Sequence, residues 1–94
     1  MKPQYSIITQ DWEHCFNCGG PAQAVHHVFF GPLRRISEKW GLKIPLCHRC
    51  HNQSKDAVHF NREKDLEYKG IAQRAFEALY GHIKFMEVIG RNYL

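Results

Sequence analysis

No stretch of this chain is long and apolar enough to cross a bilayer. The opening Met1-Lys2-Pro3-Gln4-Tyr5 passes through Ile7-Ile8 into polar Gln10-Asp11, without the extended apolar centre of an export signal. Internal repeats, linkers and low-complexity segments are missing too. Cysteine is scarce: there are four, all in Cys15-Phe-Asn-Cys18 and Cys47-His-Arg-Cys50, with none left over. Acidic groups number 9 against 13 basic ones, and the resulting charge of +4 leans toward a polyanionic partner. These features disfavour a membrane protein and a secreted disulfide framework, and the expected location is the reducing cytoplasm.

What the chain does contain is two CxxC pairs with His26-His27 between them. Each pair can bend back and offer two thiolates to one ion, and two pairs complete a closed tetrahedral cage suited to Zn²⁺. Cys15, Cys18, Cys47 and Cys50 are therefore the expected structural zinc ligands. With 94 residues the chain reads as one domain with a modest core, to which a metal crosslink contributes materially. A pair of disulfides is the competing use of the same cysteines.

The reading along the chain is α+β. Residues 1–14 form an arm that packs on the core, and Cys15 to Gly20 a zinc knuckle. Ala24 to Phe30 is β-branched and aromatic, hence a strand, ended by Gly31-Pro32. Leu33 to Trp40 is a short helix stopped at Gly41, and Lys43 to Leu46 a second strand. A helix is expected from His48 through Lys55. Knuckle, hairpin and helix together make a treble clef, a core of about residues 15–60. A C-terminal helical extension occupies about 61–94. Its main helix, Asn61 to Tyr80, carries an apolar stripe of Leu66, Ile71, Ala75, Phe76 and Leu79. A shorter helix runs from Ile83 to Ile89.

Histidine is the residue type with further chemistry to offer. Phosphodiester hydrolysis needs a base for the attacking water and a cation for the phosphate, and an imidazole titrates near neutrality. Adjacent histidines on a regular strand point to opposite faces, so a distortion near Gly31-Pro32, or a bulge, is needed to bring His26 and His27 together. The plainer alternative is one core and one surface histidine. His51 is alternatively a surface residue or a zinc ligand, and His59 lies eight residues further on. That separation is too long for one straight helix, so the helix must end near Asp56, itself a weaker oxygen ligand. Arg34, Arg35, Lys43 and Lys55 are the candidate phosphate contacts, with a solvated turn as the alternative for the two arginines. His14, His48 and His82 read as structural or exposed.

The histidine pair followed by Leu46-Cys47-His48-Arg49-Cys50-His51, with a CxxC upstream, resembles the HNH or ββα-metal endonucleases in their zinc-stapled form. The likeness covers Cys15 to His59, about half the chain. It is nearest the phage-associated versions, including the recombination-enhancement nucleases, to which Val58-His59-Phe60 and the closing Gly90-Arg91-Asn92-Tyr93-Leu94 are also similar. The resemblance implies a ββα-metal core and a bacterial or phage-encoded nuclease of low sequence specificity acting on DNA. It implies His27 as general base, and His26, His51 and His59 as ligands of Mg²⁺ or another divalent ion. A recombination protein is a further partner it admits. The chain departs from the family pattern at Trp40 to Pro45, which lacks the middle Asn that steadies the loop, and this leaves open a relative without activity. Two other readings stand beside the nuclease. One is a non-catalytic zinc module that binds nucleic acid through the basic half, and the other is a zinc domain whose helices dock a protein.

Overall fold

The computed structural model describes residues 1–94 and centres on a two-stranded antiparallel sheet of β1 (Ala24–His27) and β2 (Lys43–Leu46). The register pairs Ala24 with Leu46, His26 with Ile44 and His27 with Lys43. Every residue of β2 is buried. A sheet this small is stable only because other elements cover it.

β1 is shorter than the apolar run Ala24–Phe30 suggests. Val28 still donates its N–H to the Leu42 carbonyl at 3.0 Å, but Ser37 then diverts the chain. Its hydroxyl donates to Phe29 O at 2.7 Å and accepts from Phe29 N at 2.9 Å, replacing the ladder partners a longer strand would need. Val28 and Phe29 remain buried. The apolarity therefore reports core residues in a bend, which local composition cannot separate from a strand.

A 3-10 turn over Gly31–Leu33 leads into α1 (Arg34–Trp40), which Gly41 closes in a left-handed conformation with φ 69°. A Cβ at Gly41 would lie 2.9 Å from the Tyr5 ring, because the N-terminal arm crosses there. That arm is held by Ser6 Oγ donating to Lys43 O (2.8 Å) and Ile7 N donating to Gly41 O (2.9 Å).

After β2, α2 spans only His48–His51. The expected continuation to Lys55 does not form. Ser54 Oγ donates to Arg49 O at 3.0 Å, satisfying a carbonyl that further helix would have used. The chain folds back through a 3-10 turn at Val58–Phe60. Asn61 Oδ1 accepts from Lys64 N at 3.1 Å and starts α3 (Arg62–Tyr80), with Glu63 and Asp65 in its first turn. α4 (His82–Ile89) follows Gly81.

The inner face of α3 is Asp65, Tyr68, Ala72, Gln73 and Phe76, rotated from the expected stripe; of that stripe only Phe76 is fully buried, and Leu79 is 62% exposed. The rotation brings Gln73 inside, where its amide donates to Asn92 Oδ1 and accepts from Tyr93 N, each at 2.7 Å. The C-terminal residues are thus docked on α3. Phe29, Phe76 and Phe85 join sheet and helices, with ring centroids 5.6–6.0 Å apart. No helix is long and apolar enough to cross a membrane.

Ser37→Ala leaves both polar groups of Phe29 buried without a partner. It should lower unfolding stability by about 1–3 kcal/mol, measured by urea denaturation; an unchanged midpoint would show that the bend is held elsewhere.

Candidate metal centre and histidine cleft

The first CxxC is shaped by its turn. Gly19 donates to the Cys15 carbonyl (2.9 Å) and Cys15 donates to the Gly20 carbonyl (2.6 Å), so the loop closes on itself. Gly19 has φ 78°, and a Cβ at Gly20 would already touch Cys18 Sγ at 3.4 Å. The second CxxC sits at the start of α2, with Cys47 as the N-cap residue and Cys50 in the helix. The four sulfurs lie within 4.8 Å of one another, and all four are free of disulfides.

Cys18 and Cys47 sulfurs are 3.8 Å apart. Sulfurs bound at about 2.3 Å to a tetrahedral zinc ion are about 3.8 Å apart, so the donor set is compatible with zinc. The electrostatics agree. Burial pushes the Cys50 thiol up to about 12, and the neighbouring sulfurs add to this against the Asn17 amide, which donates to its sulfur. Cys15 is drawn down to about 7, because backbone N–H groups of Cys18, Cys47 and Asn17 outweigh its burial. Clustered thiolates repel one another, and a bound divalent cation is the group that lets them ionise together.

On the other side of α2 lies the second cluster. His26 comes from β1, His51 from the last position of α2 and His59 from the 3-10 turn, and their nitrogens also lie within 4.8 Å of one another. The early end of α2 brings His59 back. His51 Nε2 and His59 Nε2 are 3.0 Å apart. His26 is 1% exposed, and its Nε2 is buried with no hydrogen-bond partner. Burial, followed by the nearby His51 and His59, pulls its pKa down to about 3. His51 is also lowered, by burial and then by His59 and His48. His26 is consequently a neutral imidazole, the form that donates a lone pair.

These three line a cleft of about 270 Å³ together with His27, Arg34, Val25 and Phe30. His26 and His27 alternate along β1, yet both border the cleft. His27 Nε2 is 2.7 Å from Glu38 Oε2.

The candidate phosphate contacts separate. Arg34 lines the cleft. Arg35 is exposed on α1 but is not among the cleft residues. Lys43 corrects the expectation: it is 2% exposed and pairs with Glu38 Oε1 at 3.2 Å, so its ammonium is not offered to a backbone phosphate. Its place in β2, under α1, buries a side chain that composition alone marks as surface. Lys55 lies with Asp56, Asn17 and Arg49 beside the cysteines, away from the histidine cleft. His14 and His82 pair with Asp11 and Glu77, and His48 is exposed. Sequence reasoning missed Glu38. One signal was available, since it is the single acidic residue between Glu13 and Asp56.

The architecture and donor set define a small α+β protein with a four-cysteine cluster compatible with a structural zinc ion. No protein-family model, curated protein or solved structure matches the chain.

The purified protein should carry about one equivalent of tightly held zinc, and Cys47→Ser should remove most of it and lower the thermal midpoint, read by elemental analysis and calorimetry. Zinc retained in the variant would disprove the four-sulfur site. The folded His26 titrates near 3, below its 6.5 reference, so as pH falls the unfolded chain takes up its proton first. Stability should therefore decline as pH falls from about 7 to about 3, with a shallower slope in His26→Gln. Parallel slopes in urea titrations would contradict this.

Proposed function

We propose that the chain is a metal-dependent DNA endonuclease of the HNH type, with its cysteines holding zinc in a treble-clef or ββα-metal core. The observation that carries this reading is the unpartnered Nε2 of buried His26 beside the close pair His51 and His59. Burying an imidazole nitrogen without a partner is costly, and three converging imidazoles have no apolar reason to meet. Two nitrogens bound at about 2.1 Å to one ion, at 90–110°, are about 3.0–3.4 Å apart, which fits the 3.0 Å between His51 and His59. A Mg²⁺-like ion prefers oxygen ligands and keeps several waters. An imidazole-rich set also suits Mn²⁺, Zn²⁺ and other transition ions.

The divalent ion, when bound, neutralises charge on the scissile phosphate and on the leaving oxygen. His26, His51 and His59 would hold it. His27 borders the same cleft and removes a proton from the attacking water. Arg34, on the cleft wall, offers charge-assisted hydrogen bonds to a phosphate oxygen, and Arg35 extends the basic surface along α1. Contacts of this kind are to the backbone, so sequence preference should be low and salt dependence marked. The setting that goes with this activity is the cytoplasm of a bacterial cell, for a chromosomal or phage gene, with DNA as partner and a recombination protein as a second.

Supercoiled plasmid should be nicked with Mg²⁺ or Mn²⁺ and left intact with chelator. His27→Ala should slow nicking by about 10²–10⁴-fold with zinc content and thermal midpoint retained. Gel retardation without cleavage in any divalent ion would replace this reading with the non-catalytic nucleic-acid-binding module. A fully active His27→Ala would remove His27 as the base.

A further inference from the structure

His27 and Lys43 are direct cross-strand partners, so their side chains leave the sheet on one face. α1 lies against β1 and supplies Glu38 to both. One carboxylate oxygen meets His27 Nε2 at 2.7 Å and the other meets Lys43 Nζ at 3.2 Å. Lys43 is 2% exposed, and a buried ammonium persists only with a partner. Glu38 is that partner. The bonds from His27 and then Lys43 hold its carboxyl below the usual range, so it is ionised at neutral pH and can only accept hydrogen bonds. The proton in the short contact with His27 therefore sits on Nε2. A neutral imidazole carries one proton, which leaves Nδ1 as its lone pair.

We infer that Glu38, anchored by the buried Lys43, is a positioning residue that holds His27 in its Nε2–H tautomer and makes Nδ1 the basic nitrogen. The tautomer assignment stands on the contacts of Glu38 with His27 and Lys43 and is independent of the nuclease reading; its consequence for cleavage rests on that reading. The arrangement does two things for a base. It fixes the ring, so no rotation or tautomer exchange precedes proton transfer. It also stabilises the imidazolium formed when Nδ1 takes a proton, the part a carboxylate plays behind a catalytic histidine. Lys43 thus reaches the chemistry through Glu38 rather than through phosphate. If Glu38 only tied α1 to the sheet, its loss would change stability and leave the ring nitrogens unaltered.

Long-range ¹H–¹⁵N spectra of the labelled full chain, at a pH where the ring is neutral, read the two nitrogens separately, with His27→Ala assigning the signals. Nδ1 should resonate as unprotonated and Nε2 as protonated in the parent chain. Glu38→Ala should average the two toward a tautomer mixture. Because that variant strands Lys43 buried and unpaired, Glu38→Ala with Lys43→Met removes both charges and carries the same expectation. A parent chain with Nδ1–H, or an unchanged pattern in the folded double variant, would overturn the inference. In nicking assays, kcat should fall about 10–100-fold in the double variant with KM little changed. A fall in thermal midpoint with undiminished kcat would reduce Glu38 to a structural tie. If the parent chain cuts no DNA, the nuclease reading fails, and the nitrogen pattern still decides the tautomer.

Discussion

Four sulfurs from two distant turns converge within 4.8 Å, and most of the remaining geometry is referred to that point. The first turn is otherwise an irregular loop closed at Gly19 and Gly20, and the second opens a helix of only four residues. Neither would persist alone, since so short a helix is far below the length at which backbone bonds sustain it. One ion held by all four sulfurs would convert separate turns into one rigid corner, with β2 running into it. The core also helps, since Cys15 is itself buried and belongs to the main hydrophobic cluster.

From that corner the histidine cleft follows. α2 points Cys50 at the sulfur cluster and, one residue later, His51 away from it. Its early end lets the chain reverse and return His59 to within 3.0 Å of His51. β1 supplies His26 from the opposite side. Three separate segments must be placed correctly for these rings to meet, and the placement is costly, because it buries an unpaired nitrogen and depresses the basicity of two imidazoles. Interiors normally avoid that combination. Sites that bind or transform a ligand are where it is tolerated.

The end of the sheet beside the cleft is organised by charge. Lys43, Glu38 and His27 form a chain in which the buried member needs the middle one, and the middle one orients the last. Ser37, one residue earlier on α1, holds the bend after β1. A single helical segment thereby sets both where the strand stops and how its last histidine is presented. Two substitutions one residue apart would then affect different properties, fold stability at Ser37 and ring state at His27.

Spacing alone determined much here. Two CxxC pairs define a four-sulfur donor set whatever lies between them, because each pair can turn back on one ion. The period of residues 61–80 identified α3, since helix formation over nineteen residues is a local matter of pattern and capping. The histidines at 26, 51 and 59 stood out by type. Only the tertiary structure decided how these parts are used. It ended β1 at His27, because a serine eleven residues past His26 takes over the backbone bonds of Phe29. It turned α3 so that Gln73 faces inward and Leu79 outward, because the docked C-terminal residues needed an amide partner. It hid Lys43 beneath α1 and gave it Glu38. Burial and pairing of this kind depend on which distant segment arrives overhead, and no local window of residues contains that information.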